Sequence, residues 1–237
     1  MRAPIARRLL AELLGTAFLL VAVIGSGIAA QRLSPGDSGV QLLENAIATG
    51  TALVAIILAF GAISGAHLNP LVTITDRVFG GVGTREAAGY VGAQLVGAVT
   101  GAVVANLMFD LPAVQWSTTV RDGSGLFLSE VVATLGLLLV IFGVVRSGRS
   151  ALVPFAVGAY ITGAYFFTSS TSFANPAVTV ARTLSDSFAG IAPSSVPLFL
   201  VAQGVGCALT LLAIAALYPD VRAHADAVLV PHEEGAS

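Results

Sequence analysis

Two short segments of the sequence carry the same polar motif inside an apolar setting. Residues 67–75 read HLNPLVTIT and residues 173–181 read FANPAVTVA, so both contain Asn-Pro-x-Val-Thr. Asparagine is a favoured N-cap and proline a favoured first helical residue, and each Asn-Pro therefore predicts the start of a helix. Capping uses the side-chain oxygen and leaves the amide N–H₂ group as a donor. The chemistry that we expect at Asn69 and Asn175 is hydrogen bonding to a neutral molecule.

Each predicted helix is short. Apolar runs follow at 70–79 and 176–184, and about ten residues at ~1.5 Å each cover roughly 15 Å, half of a ~30 Å hydrocarbon core. Two half-length helices in matching positions of two halves predict a polar site at the middle of a membrane. Two helix N-termini meeting there would also bring together positive dipole ends, which repel cations and protons.

The composition predicts a membrane protein around these segments. Of 237 residues, 56% are hydrophobic and 10% are charged, whereas about 25% are charged in soluble domains. The mean hydropathy is +0.89. Apolar segments near the length of a membrane crossing occupy 9–30, 45–62, 87–108, 126–145, 151–168 and 196–218. We predict an all-α membrane protein with six transmembrane helices and two re-entrant half-helices, forming a single domain over 1–237 with a flexible tail at about 220–237.

A second motif reveals an internal repeat. The first span contains Glu12-Leu-Leu-Gly-Thr16 and the fourth contains Glu130-Val-Val-Ala-Thr134, both Glu-x-x-small-Thr. With the two Asn-Pro motifs they define repeats at about 9–108 and 126–218. Three spans in each repeat place the second copy upside down relative to the first, so we predict an inverted repeat.

Glu12 and Glu130 lie deep in predicted spans, where a charge costs ~2.5–3.5 kcal/mol on insertion scales. One interpretation is a relay for protons or ions. The other is a structural carboxylate that accepts hydrogen bonds from the unpaired backbone N–H groups of the re-entrant segments. Because each glutamate belongs to the same repeat as one half-helix, we favour the structural role, and we expect Gln94 to assist in the same way.

The arginines predict the orientation. All eleven basic residues are arginine. With a cytoplasmic N-terminus, eight of them lie inside, namely Arg2, Arg7, Arg8, Arg77, Arg85, Arg146, Arg149 and Arg222. Three lie outside, namely Arg32, Arg121 and Arg182. Because cytoplasmic loops carry an excess of basic residues, we predict that both termini are cytoplasmic.

The motifs together resemble a known family. The two Asn-Pro-x-Val-Thr segments, the paired Glu motifs, Ser64-Gly-Ala-His67 and Tyr90-Val-Gly-Ala-Gln94 are similar to those of the major intrinsic proteins, the aquaporins and aquaglyceroporins. The resemblance implies one pore per protomer and a homotetramer in a bacterial inner membrane. It also implies a midplane motif made of Asn69, Pro70, Leu71, Asn175, Pro176 and Ala177. Leu71 stands where the family usually has alanine, and we expect its bulk to alter the packing of the two loops or the bore.

By spacing from the two asparagines, the resemblance places a selectivity filter at Thr49, Gly163, Ser172 and Val178. Val178 occupies the position where members of the family nearly always carry an arginine. These small, uncharged side chains predict a wide constriction, with cation exclusion left to the midplane amides and dipoles. Arg182 follows one turn later, and we expect it to lie away from the filter and to face solvent or lipid phosphate.

The leading functional prediction is a passive channel for small uncharged solutes. Val178 and Thr49 resemble the bacterial arsenic-resistance branch of the family, the AqpS-like channels, which implies arsenite, As(OH)₃, or a glycerol-like polyol ahead of water. The alternatives are an alternating-access secondary transporter, which shares inverted repeats and broken helices, a water-selective aquaporin, and a sealed structural protein plugged by Leu71. No motif of the sequence indicates an enzyme, and we expect no cofactor, no bound metal and no nucleic-acid partner. The expected partners are the solute and the lipid bilayer.

Overall fold

The structure is a computed structural model and describes residues 3–218. In chain order its helices are α1 (Ile5–Leu33), α2 (Ser38–Ser64), α3 (Pro70–Phe79), α4 (Thr84–Met108), α5 (Ser124–Arg146), α6 (Val153–Phe167), α7 (Pro176–Ala181) and α8 (Val196–Leu217). Within this range six of the helices are long and apolar enough to cross a membrane, and α3 and α7 are the two short ones. The predicted fold class is confirmed. The predicted tail at 220–237 and the arginines at 2 and 222 lie outside the described residues.

Four of the six long helices, α1, α2, α4 and α5, extend beyond the apolar runs from which they were predicted, whereas α6 and α8 stay within theirs. α2 begins at Ser38 and not at 45, because Asp37 caps it: the Asp37 carboxylate accepts a 3.0 Å hydrogen bond from the Val40 backbone nitrogen. At the second half-helix the α-helical turns end at Ala181, and residues Arg182–Leu184 continue as a 3₁₀ turn. Polar end residues therefore lengthen the helices without changing which segments cross.

Each repeat packs as a group of three long helices. In the first repeat α1 packs against α2 and α4, and in the second α5 packs against α6 and α8. Two glycines one turn apart allow the close approach of α4 to α1. A Cβ atom at Gly97 would overlap the carbonyl oxygen of Leu13, and one at Gly101 would overlap that of Ala17. This small-xxx-small arrangement gives packing contact in lipid, where no hydrophobic driving force holds helices together.

The two repeats meet where α2 crosses α6. Gly50 and Gly158 face each other at this crossing, and a Cβ atom on Gly158 would lie 2.7 Å from the Gly50 carbonyl oxygen. Between the repeats, α3 and α7 contact each other. The two repeats therefore approach closely at α2 and α6 and also at the two half-helices, and the site is built around the first residues of the half-helices.

Candidate functional site

Asn69 and Asn175 begin the two half-helices, and the side chain of each caps its own helix. The Asn69 Oδ1 atom accepts a hydrogen bond of 2.9 Å from the Leu71 backbone nitrogen. The Asn175 Oδ1 atom accepts from the backbone nitrogens of Ala177 at 3.0 Å and Val178 at 3.3 Å. Both asparagines have extended backbone, as an N-cap requires.

The amide groups of the same asparagines tie the two re-entrant segments together. The Asn69 Nδ2 atom donates to the Ala174 carbonyl oxygen at 2.8 Å, and the Asn175 Nδ2 atom donates to the Leu68 carbonyl oxygen at 2.8 Å. An amide nitrogen carries two hydrogens, and no second hydrogen bond from either Nδ2 is found within residues 3–218. Both asparagines line the central cavity. Each one therefore has a fixed orientation and a remaining donor for a molecule in that cavity.

The Glu12 carboxylate accepts hydrogen bonds from the first re-entrant segment. Its Oε1 atom accepts from the His67 backbone nitrogen at 2.9 Å and the Ser64 hydroxyl at 2.6 Å. Its Oε2 atom accepts from the Leu68 backbone nitrogen at 2.8 Å and from the Gln94 amide at 2.8 Å. Glu12 is fully buried, and four donors satisfy a carboxylate that would otherwise be costly there. This geometry matches the structural interpretation of the residue.

Glu130 does the same for the second segment. It accepts from the backbone nitrogens of Phe173 at 2.9 Å and Ala174 at 3.0 Å, and from the Gln203 amide at 2.7 Å. No role was predicted for Gln203. A signal was present, because Tyr90-Val-Gly-Ala-Gln94 has a counterpart in Phe199-Leu-Val-Ala-Gln203, an aromatic residue followed by Ala-Gln. Each glutamine also donates to the threonine of its Asn-Pro-x-Val-Thr motif.

The re-entrant segments offer backbone acceptors beside the asparagine donors. Ala66, Leu68, Ser172 and Ala174 have positive φ angles of 46°, 51°, 51° and 47°, a conformation that costs energy for residues other than glycine. Within residues 3–218 no hydrogen bond reaches the carbonyl oxygens of Ala66 or Ser172, and both residues line the cavity. Glu12 and Glu130 hold this strained backbone in place. The carbonyl oxygens of Ala66 and Ser172 remain as hydrogen-bond acceptors for a solute.

Most of the cavity wall is apolar. α1, α2 and α5 contribute aliphatic side chains from both repeats, namely Leu19, Val23, Leu53, Ile57, Leu137 and Ile141. Such a wall makes no hydrogen bonds, so a passing molecule finds partners only along the polar positions. The arrangement permits neutral, hydrogen-bonding molecules to replace their water contacts step by step.

Three of the four predicted filter residues line this cavity, namely Thr49, Ser172 and Val178. The Ser172 hydroxyl is buried and has no hydrogen-bond partner among the described residues, which leaves it available to a solute. Leu71, by contrast, is absent from the cavity wall and packs in the hydrophobic core. This position does not support the alternative in which Leu71 plugs the channel.

The prediction for Gly163 is wrong. The face of α6 that lines the cavity consists of Val153, Val157, Ile161 and Tyr165, at steps of four residues. Gly163 is exposed, on the opposite face of the same helix, because two residues turn a helix by about 200°. Counting back from Asn175 assumed a connection two residues longer than the one present. Tyr165 lines the cavity in the place predicted for Gly163.

The prediction for Arg182 is also wrong. Arg182 is only 2% exposed and lines the cavity. Its guanidinium carbon lies 3.5 Å from the centre of the Phe173 ring, and its Nε atom donates to the Ala189 carbonyl oxygen. The side chain therefore faces neither solvent nor lipid phosphate. Its spacing of four residues from Val178 was the signal, because it puts both side chains on one helix face.

His67 both lines the cavity and packs against its neighbours. Its ring lies edge-on to Tyr90 with centroids 5.2 Å apart. Its Nδ1 atom is 3.1 Å from the Thr73 hydroxyl, and its Nε2 atom is 3.7 Å from Oδ2 of Asp76. Within residues 3–218 no group of three or more His, Cys, Asp and Glu side chains is placed to hold a metal ion.

A family model described as "Major intrinsic protein" matches residues 1–172. The chain belongs to the major intrinsic protein family. It is similar to "Aquaglyceroporin AqpS" of Rhizobium meliloti (strain 1021), with 48% identity over 208 residues that cover 87% of this chain and 88% of the relative. It is also similar to "Lens fiber major intrinsic protein" of Ovis aries, with 35% identity over 170 residues that cover 68% of this chain and 62% of that protein.

A solved structure gives the same result. The X-ray structure of the aquaglyceroporin from Plasmodium falciparum matches with a TM-score of 0.70 and 25% sequence identity, over 92% of this chain and 99% of that one. This major intrinsic protein is therefore a multi-pass membrane protein and a passive channel for small solutes. The family is one of channels and not of enzymes.

Proposed function

We propose that this major intrinsic protein passes small uncharged solutes, with arsenite as As(OH)₃ or a glycerol-like polyol ahead of water. The observation that carries the proposal is Val178, which lines the cavity where members of the family nearly always have an arginine. A valine there has no fork of donors and a smaller cross-section than arginine. A relative that is 48% identical is named an aquaglyceroporin, which supports a solute larger than water.

The roles of the site residues follow from their contacts. Asn69 and Asn175, with Pro70, Leu71, Pro176 and Ala177, form the midplane motif. Their amide donors and the loop carbonyl groups take over the hydrogen bonds of a hydroxylated solute, while the two helix N-termini repel cations. Thr49, Ser172 and Val178 form the filter, with Tyr165 in the place of Gly163. Glu12 and Glu130 are loop-supporting acids, and not proton relays.

The domain organisation, the oligomeric state and the membrane location are part of the same proposal. A single channel domain over 1–237, assembled as a homotetramer in a bacterial inner membrane, fits the family and the apolar helices. Both termini are cytoplasmic in this arrangement, because most arginines then lie inside. The protein needs no cofactor, has no catalytic activity and binds no nucleic acid.

The test is solute flux into proteoliposomes. Glycerol uptake is measured by stopped-flow light scattering and As(OH)₃ uptake by arsenic content. The rate of uptake of each solute should rise linearly with its concentration and should not depend on proton or sodium gradients. The matched control is Val178→Trp, which fills the filter position and should lower the uptake of both solutes. Saturable uptake that follows an ion gradient would establish alternating access instead. Uptake of water alone would establish a water-selective channel, and no flux at all a sealed protein.

A further inference from the structure

We propose that Arg182 is the charged selectivity element of this channel and excludes cations from it. The inference rests on the proposed passage of neutral solutes, and it adds a residue outside the predicted filter. Arg182 lies four residues after Val178, and therefore about 6 Å farther along the half-helix from the midplane. The position after the second Asn-Pro-Ala is thus uncharged, and the positive charge on the cavity wall is carried by the residue one helical turn later in the chain.

The guanidinium group is held in a fixed position. The Phe173 ring lies 3.5 Å from the guanidinium carbon, and the Ala189 carbonyl oxygen accepts the Nε hydrogen. A cation over an aromatic face and a charge-assisted hydrogen bond are both favourable in a buried place. Within residues 3–218 no hydrogen bond is made by the two Nη atoms, although the side chain lines the cavity. These four N–H groups are donors available to a solute.

Within residues 3–218 Arg182 is not in direct contact with a carboxylate, and Glu130 acts on its charge only through space. No carboxylate of the described residues forms a salt bridge with it. A buried cation without a salt-bridge partner is costly, and an ionisable group at membrane depth usually has a function. A guanidinium without a salt bridge on the cavity wall creates a positive potential there, which repels cations and does not exclude neutral molecules.

A second arginine nearby provides the comparison. The guanidinium carbon of Arg121 lies 5.3 Å from the centre of the same Phe173 ring. Its Nε atom donates to the Gly190 carbonyl oxygen at 2.9 Å, and its Nη2 atom donates to the Phe188 carbonyl oxygen at 3.2 Å. Arg121 does not line the cavity. Both arginines lie beside one ring, Arg182 buried and Arg121 half-buried, but only Arg182 lines the cavity.

The test compares two substitutions of similar size in proteoliposomes. Arg182→Gln removes the charge but still provides N–H hydrogen-bond donors. Arg182→Lys keeps the charge and removes the planar fork of donors. We expect Arg182→Gln to raise the sodium and proton conductance relative to glycerol uptake on the order of tenfold, while Arg182→Lys stays close to the native protein. Arg121→Gln is the matched control and should leave this ratio unchanged. Arg182→Met replaces the glutamine variant if that variant fails to insert.

The outcomes separate this inference from the proposed function. If the native protein takes up glycerol or As(OH)₃ and both uncharged Arg182 variants still exclude sodium and protons, the inference is overturned. The same holds if Arg121→Gln admits cations as readily as Arg182→Gln. If the native protein takes up neither neutral solute, the proposed function fails, independently of any Arg182 variant.

Discussion

The Tyr165 phenol donates a hydrogen bond of 3.2 Å to the Thr49 hydroxyl. Tyr165 belongs to α6 of the second repeat and Thr49 to α2 of the first, so this bond spans the interface between the repeats. Both residues are 2% exposed and line the cavity. The bond therefore fixes an aromatic ring on the wall of the channel, at a level where only small side chains were predicted.

The first prediction concerns the size limit of the channel. Tyr165→Ala should admit larger polyols such as sorbitol, because removing the ring widens the constriction. It should also lower the stability by about 3–5 kcal/mol, as expected for truncating a buried aromatic residue. Tyr165→Phe keeps the ring and loses only the bond to Thr49, and should keep the native size limit. Light-scattering uptake of a series of polyols measures both.

Gly163→Ala is the control for this series. A Cβ atom at Gly163 would meet only the Phe167 ring, at 3.7 Å, an ordinary contact on the outer face of α6. The substitution should leave the size limit unchanged. A change of polyol selectivity in Gly163→Ala, with none in Tyr165→Ala, would contradict the corrected assignment of the filter.

The second prediction restores the arginine that the family usually has. Val178→Arg should lower glycerol and As(OH)₃ uptake by about tenfold, equivalent to a barrier of about 1.4 kcal/mol, and should leave the protein folded. A second guanidinium one turn from Arg182 adds bulk and charge to the same face. Val178→Leu is the size control and should have a smaller effect. Uptake that is the same in all three proteins would remove Val178 from the filter.

The third prediction concerns the acids below the re-entrant segments. Glu12→Gln retains the shape of the side chain but replaces one acceptor oxygen by a donor, which then faces backbone N–H groups. Each buried N–H left without a partner costs about 1–3 kcal/mol, so the thermal unfolding temperature in detergent should fall. Glu130→Gln should behave in the same way.

A relay would give a different result for the same two variants. If either glutamate carries protons, its glutamine variant should stay as stable as the native protein and lose a proton-dependent flux. We expect stability to change and no flux, native or variant, to depend on a proton gradient.

The fourth prediction concerns Leu71, which packs in the core and not on the cavity wall. Leu71→Ala should destabilise the protein by about 2–5 kcal/mol through the cavity that it leaves. The ratio of glycerol to water uptake should change less than in Val178→Arg. The two ratios are measured at a temperature where both variants are folded. A larger change for Leu71→Ala would place the part of the channel that selects solutes at the midplane.

The sequence by itself determined the architecture. Hydrophobic runs located the six crossings, Asn-Pro located the two helix starts, and the paired glutamate motifs revealed the inverted repeat. These features depend on local composition and on residues close together in the chain. For the same reason Glu12 and Glu130 could be matched with the segments that they contact, although the distances of 2.8–3.0 Å to backbone nitrogens are a result of the fold.

Only the tertiary structure decided which side chains line the cavity. A residue step turns a helix by about 100°, so an error of two residues in the length of the connection after α6 exchanges Tyr165 for Gly163 and the inner face for the outer one. The position of the Arg182 guanidinium depended on Phe173 and Ala189, which approach it only in the folded chain. Likewise, the side-chain amides of Asn69 and Asn175 donate to backbone oxygens of the opposite repeat. Neither motif by itself predicts this pairing.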